Sequence, residues 1–266
     1  MPSFVNASCR VIAVLLCSVL LVSACTTTRT REANLLDATA MELTDRLRAK
    51  AAELQTLKGL FRVQVQGAGL PFPQRVEGAI YYQRPDVYRV QGFNRLGGEL
   101  FELLMAKELY RLRLPGPGQQ YSGRADQLGR IGPIAEPFAL TMFAMSGLIG
   151  LAPIPAGSHV GLSQTDDRYR LDVTLESADR PSRRLWFDRR SLEVVQEDRL
   201  APDGAVLATA QFEDYRSIGE SSTGDGPIVR PFRIAVQDTK AGGMVIVTIQ
   251  ELVPNVPLKS EELRAA

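Results

Sequence analysis

Between Val76 and Leu114 apolar and polar side chains alternate, with short breaks, and a chain written this way is restricted to antiparallel hairpins. The stretch reads as four strands, Val76–Gln83, Val87–Phe93, Leu100–Met105 and Tyr110–Leu114. Proline fixes the turn at Arg84-Pro85-Asp86. The turn at Asn94-Arg95-Leu96-Gly97-Gly98 carries Leu96 where polar residues are the rule. The same alternation precedes it, with Phe61, Val63 and Val65 set against Arg62, Gln64 and Gln66, and six further strands follow between Arg168 and Leu252. Gly and Pro punctuation divides them, giving about eleven strands in all. Glu102 is the one charge inside the otherwise apolar run Leu100–Met105.

Two segments break the strand period. Asn34–Lys58 carries Leu36, Ala40, Leu43, Leu47, Ala51 and Leu54 at spacings of three and four, one face of an amphipathic helix capped by Asn34 and ended by Gly59. Ile131–Pro155 contains Pro137, suited to a helix start, and then Phe138, Leu140, Met142, Phe143, Met145, Leu148 and Ile149, apolar around the whole circumference. Such a helix must be covered on all sides. The pattern predicts an α+β, mostly β fold, a curved antiparallel half-barrel sheet wrapped round an N-terminal helix and an inserted apolar helix.

The amino terminus is a targeting segment. Arg10 precedes the apolar run Val11–Val22, which at about 1.5 Å per residue is too short to cross a hydrocarbon core of roughly 30 Å. It fits the apolar region of a signal peptide. The run ends in Leu21-Val22-Ser23-Ala24-Cys25, which resembles the lipobox of bacterial lipoprotein precursors. That resemblance implies cleavage after residue 24, acylation of Cys25, a lipidated tether over 25–33 and one domain over 34–266. Thr26, in place of an aspartate, implies the outer membrane. Cys9 and Cys17 fall in the removed segment, so the mature chain keeps no pair of thiols for a disulfide or thiolate metal site. Several acyl chains, at about 0.8 kcal/mol per buried CH2, make a stable anchor.

Charge excludes one class of function. Lys and Arg number 31 against 30 Asp and Glu, with no basic stripe of the kind that neutralises nucleic-acid phosphates. Enzyme chemistry also lacks its parts. His159 is the single histidine, no G-x-S-x-G is present, and the pairs Asp166-Asp167 and Glu213-Asp214 occupy turn or strand-end positions whose neighbours point to opposite faces. With one histidine the chain offers no metal-ligand set, and no cofactor is expected.

Taken together, the lipobox, the order helix, sheet, inserted apolar helix and more sheet, the segment Arg84-Pro85-Asp86 through Asn94-Arg95-Leu96-Gly97 to Glu99-Leu100-Phe101-Glu102-Leu103, and the ending Pro254-Asn255-Val256-Pro257-Leu258 resemble the LolA/LolB-like proteins. These are lipoprotein carriers and outer-membrane lipoprotein receptors of Gram-negative bacteria. The lipobox makes the chain more similar to the lipid-anchored receptor, with Arg95 where the receptor has proline. The resemblance implies a non-enzymatic, monomeric protein facing the periplasm from the inner leaflet of the outer membrane. It would accept acylated lipoproteins or lipids, with a soluble periplasmic carrier as a possible donor, and pass them to the membrane through Leu96 beside Arg95. A sheet of this kind leaves an apolar pocket on its concave face, for which Phe61, Val63, Val65, Tyr88, Val90, Leu103, Met105, Phe138, Met142 and Met145 are candidate lining residues. The competing expectation is a scaffold lipoprotein that docks an envelope partner on its sheet edge or Leu96 loop.

Overall fold

A computed structural model describes residues 35–67, 72–115, 119–130, 135–221, 226–240 and 242–263. Residues 1–34, on which the expected signal segment, Cys25 and tether fall, lie outside them. Contacts divide the chain into Met1–Leu35 and Leu36–Ala266, and the fold is that of the second unit.

Thirteen strands form one antiparallel, curved and unclosed sheet, a half-barrel. They are β1 (Thr56–Gln66), β2 (Gln74–Gln83), β3 (Val87–Phe93), β4 (Glu99–Ala106), β5 (Leu109–Arg113), β6 (Gln120–Arg124), β7 (His159–Gln164), β8 (Arg168–Thr174), β9 (Arg183–Asp188), β10 (Val194–Leu200), β11 (Val206–Glu220), β12 (Pro227–Asp238) and β13 (Met244–Pro254). Their order is β6-β5-β4-β3-β2-β1-β13-β12-β11-β10-β9-β8-β7. The first strand pairs with the last, Val63 opposite Val247, so the edges of the sheet are β6 and β7, consecutive in the chain. These two account for the difference from the expected eleven strands. Both are short and mostly exposed, and their apolar signal is slight: Tyr121 alone in β6, Val160 and Leu162 in β7.

Helix α1 (Ala40–Ala52) is shorter than the predicted Asn34–Lys58. Thr39, not Asn34, is the cap: its hydroxyl accepts from the Glu42 N–H at 3.2 Å, while the Glu42 carboxylate accepts from the Thr39 N–H at 2.7 Å. Thr-Ala-Met-Glu is thus a capping box, a signal present in the sequence. At the other end Lys58 and Gly59 already belong to β1, and Leu54, although buried, follows the helix. Replacing Thr39 with alanine is expected to cost about 1 kcal/mol in urea unfolding. The Glu42 carboxyl is held below its usual 4.5, first by the Thr39 N–H and then by the Thr39 hydroxyl. A depressed folded-state pKa contributes stability above the unfolded value and loses it as pH falls, so the gap between wild type and Thr39→Ala narrows on acidification below 4.5.

The tail resemblance has a structural reason. Asn255 adopts φ 55°, which asparagine tolerates better than most residues. Its side-chain oxygen accepts from Gln55 N at 2.8 Å and its amide donates to Glu53 O at 2.9 Å, clamping the α1–β1 junction. A short helix, α3 (Ser260–Leu263), then crosses to β2 and β3, where Glu262 meets Lys58 at 2.6 Å and the Glu261 carbonyl accepts from Arg89 at 2.7 Å. Arg89 also engages the buried Glu102 at 2.6 Å, so the odd charge in the apolar strand is a paired one.

The core lies on the inner face. Phe61, Val63 and Val65 lie opposite Ile249, Val247 and Val245 and share one buried cluster with Ile234, Val236 and, from α1, Leu43 and Leu47. The inserted helix α2 (Ala135–Leu148) adds Leu140, Ala144, Met145 and Leu148. One row of register partners, Phe61, Gly78, Gly92 and Phe101, crosses four strands. A Cβ at Gly78 would lie 2.4 Å from the Phe61 ring and one at Gly92 would lie 2.1 Å from the Phe101 ring. Both rings fold over bare backbone, and Phe101 thereby reaches Phe138 of α2 edge-on, with centroids 4.7 Å apart.

Candidate functional site

Helix α2 needs apolar residues all round because its two sides face different things. Leu140, Ala144 and Leu148 enter the core, whereas Ala139, Met142, Phe143 and Ser146, spaced i, i+3, i+4 and i+7, line a cleft. The other walls are Tyr88 and Met105, register partners on β3 and β4, Ala125 and Leu128 of a 3-10 helix (Ala125–Arg130), and Arg199 of β10. The space is about 430 Å³, within the range of small-molecule sites, and its walls are chiefly apolar. Burial raises the Tyr88 hydroxyl well above its usual pKa, so it is a neutral phenol at any ordinary pH.

Of the ten residues singled out as lining, Tyr88, Met105 and Met142 border this cleft. Phe138 packs beside it on Phe101, while Phe61, Val63, Val65, Val90, Leu103 and Met145 are buried in the closed core. Sequence reasoning passed over Leu128, Ala139, Phe143, Ser146 and Arg199 as lining. The helical spacing on α2 was available as a signal. Arg199 was not legible, because the register shift between Val194 and Gln196 resets which residues of β10 face inward.

The Asn94–Gly98 turn is held by its own polar atoms. The Asn94 side-chain oxygen accepts from Leu96 N and Gly98 N, both at 2.9 Å, and backbone bonds join Asn94 N to Gly98 O at 2.9 Å and Gly97 N to Asn94 O at 3.0 Å. Gly97 sits at φ 81°, where glycine carries no steric cost. The Leu96 side chain takes no part in this: the residue is 97% exposed, so it does not fold back onto the sheet. The β1–β2 loop, at the same end of the strands, presents Phe72, 73% exposed. Between the two lies a groove of about 220 Å³ lined by Arg62, Arg75, Glu77, Phe93 and Arg95. Arg62 pairs with Glu77 at 2.7 Å, whereas Arg75 and Arg95 have no ion-pair partner among the described residues.

The remaining polar residues are structural or surface groups. His159 opens the edge strand β7 and is exposed, rather than lying in a loop. Asp167 lies 3.9 Å from Arg168, Glu213 pairs with Arg233 at 2.9 Å and Asp214 with Arg216 at 2.6 Å. Among the described residues no group of three or more His, Cys, Asp and Glu is placed to hold a metal ion, and no helix is long and apolar enough to cross a membrane.

Fold and site together define an open half-barrel with helices on its concave face and an apolar cleft between inserted helix and sheet. Solved structures share this fold. A LolA superfamily protein from Nitrosomonas europaea superimposes with TM-score 0.55 at 14% identity over 86% of this chain and 99% of that one. A DUF1329 family protein from Desulfovibrio piger gives 0.61 at 12%, over 85% and 95%. A protein domain named for outer membrane lipoprotein sorting, from Vibrio parahaemolyticus, gives 0.55 at 10%, over 85% and 97%. No protein-family model matches the chain, and no curated protein does.

Proposed function

We propose that this protein is a non-enzymatic lipid carrier or receptor of the bacterial envelope. It is anchored through Cys25 to the inner leaflet of the outer membrane, holds an acyl chain of a lipoprotein or lipid in the α2 cleft, and passes it to the membrane beside Leu96. The cleft carries the reading, since an apolar cavity walled by adaptable methionines and aromatic rings accepts flexible chains. The shared fold with a LolA superfamily protein and with a domain named for lipoprotein sorting supports it. A soluble periplasmic carrier fits as donor, and a monomer suffices for transfer.

Displacement of Nile red tests the reading. The purified protein is expected to take up the dye and release it to a lipopeptide or a medium-chain fatty acid. Ala139→Trp, which fills the cleft from α2, is expected to reduce uptake at least about tenfold with the fold intact. No uptake by the native protein, or equal uptake by the filled variant, overturns the carrier. One observation favours a scaffold instead: β6 and β7 leave both sheet edges unpaired, the arrangement that β-augmentation uses. A stable protein complex in pull-down without dye uptake selects that alternative.

A further inference from the structure

Among the described residues that line the α2 cleft, one is charged. Arg199 lies with its guanidinium carbon 3.7 Å from the centroid of the Phe143 ring. Stacking on a ring face leaves the in-plane N–H fork of an arginine free for an oxyanion. The nearby carboxylate of Glu197 attracts it through space, but its hydrogen bonds go elsewhere. Glu197, two residues earlier on the same strand, is buried and is held by Arg183 through 2.6 and 3.2 Å bonds, while Arg183 also donates to Ala152 O at 2.6 Å. Among the described residues Arg199 therefore has no hydrogen-bonded or ion-paired acceptor. Arg199 is exposed to solvent, the protein beside it pushes its pKa down, and an arginine so placed stays protonated. An incoming anion therefore replaces water at the guanidinium rather than relieving a buried charge.

We infer that the cleft selects amphiphiles with an anionic head, a carboxylate or phosphate meeting Arg199 while the single chain lies against Met105, Leu128 and Met142. The walls are arranged for this polarity. Arg199 comes from β10 in one half of the sheet, and Met105 from β4 in the other, with Met142 of α2 and Leu128 of the 3-10 helix as the remaining apolar wall. A planar fork binds either oxyanion in a bidentate manner, so head chemistry, not head identity, is what Arg199 reads. The inference rests on the acyl-chain reading above.

The test compares Nile red displacement by dodecanoate, dodecyl phosphate, 1-dodecanol and inorganic phosphate, in the native protein and in Arg199→Met and Arg199→Lys. Both anionic amphiphiles are expected to compete at concentrations about tenfold or more below dodecanol. Inorganic phosphate is expected not to compete. Arg199→Met is expected to bring the ratio of anionic to dodecanol competition to about one, and Arg199→Lys to restore part of it, since ammonium keeps the charge but not the fork. Equal competition by dodecanol in the native protein, or a preference that survives in Arg199→Met, overturns the head-group assignment and leaves the carrier standing. Displacement by inorganic phosphate alone also overturns it, in favour of a free-anion site. Failure of every chain to displace the dye removes the carrier reading and this inference with it.

Discussion

Leu96→Glu is expected to leave the fold unchanged and to lower the rate of cargo transfer to vesicles by about 10- to 100-fold. The estimate follows from burial of one leucine side chain in the bilayer interface, worth roughly 1.5–3 kcal/mol, and from the added cost of taking a carboxylate there. Stability is not at stake, because Leu96 is 97% exposed and the turn is held by Asn94 and Gly97. Urea midpoints of wild type and variant are expected to agree within about 0.5 kcal/mol. Leu96→Phe, which keeps an apolar group at the same rigid tip, is expected to transfer at nearly the native rate. Arg95 adds a smaller electrostatic part: Arg95→Gln is expected to weaken binding to anionic vesicles by about fivefold, and not to neutral ones. Native transfer by the glutamate variant, measured with acylated cargo, removes Leu96 from the mechanism while leaving the cleft untouched.

Glu53→Ala is expected to destabilise the protein by about 3 kcal/mol. Arg230, 1% exposed, crosses from β12 beneath α1, where it donates to the Glu53 carboxylate at 2.9 Å, to Lys50 O at 2.8 Å and to Val229 O at 2.8 Å. Lys50 is engaged in turn by Glu193 at 2.5 Å, and burial lowers its pKa against the opposing pull of that carboxylate. Removing Glu53 strands a buried cation with carbonyl partners alone. The expected value sits at the low end for buried pairs because the Glu53 side chain is 22% exposed. Adding Arg230→Met to Glu53→Ala is expected to cost at least about 1 kcal/mol less than the two single changes summed, since no buried charge is then orphaned. Denaturant unfolding of the four proteins reads this directly, and strict additivity excludes the ion pair as the fastening of α1.

Much of this arrangement was legible in local pattern. The period of two in β1 and β5 assigned strands and inward faces, because one side of each strand is dry and the other wet, and Phe61, Val63 and Val65 lie inside as their alternation predicts. Helix limits were less legible: the apolar stripe continued from Leu36 to Leu54 although the helical backbone runs only from Ala40 to Ala52, since burial of Leu54 continues after the helix ends. The edge strands β6 and β7 were missed, because they are short and mostly exposed and carry only Tyr121, Val160 and Leu162 as large apolar residues.

The sequence by itself determined that the chain makes an antiparallel sheet with two helices and a leucine-bearing turn. These follow from side-chain periodicity and from turn chemistry within a few residues. Tertiary structure alone decided which apolar residues close the core and which leave a cleft, since Met142 and Met145 have the same chemistry and differ only in the side of α2 they occupy. It also decided that Arg199 enters that cleft with its neighbouring carboxylate already taken. Residues from β3, β4, α2 and β10 are distant in the chain, and only the curvature of the shared sheet brings them to one place.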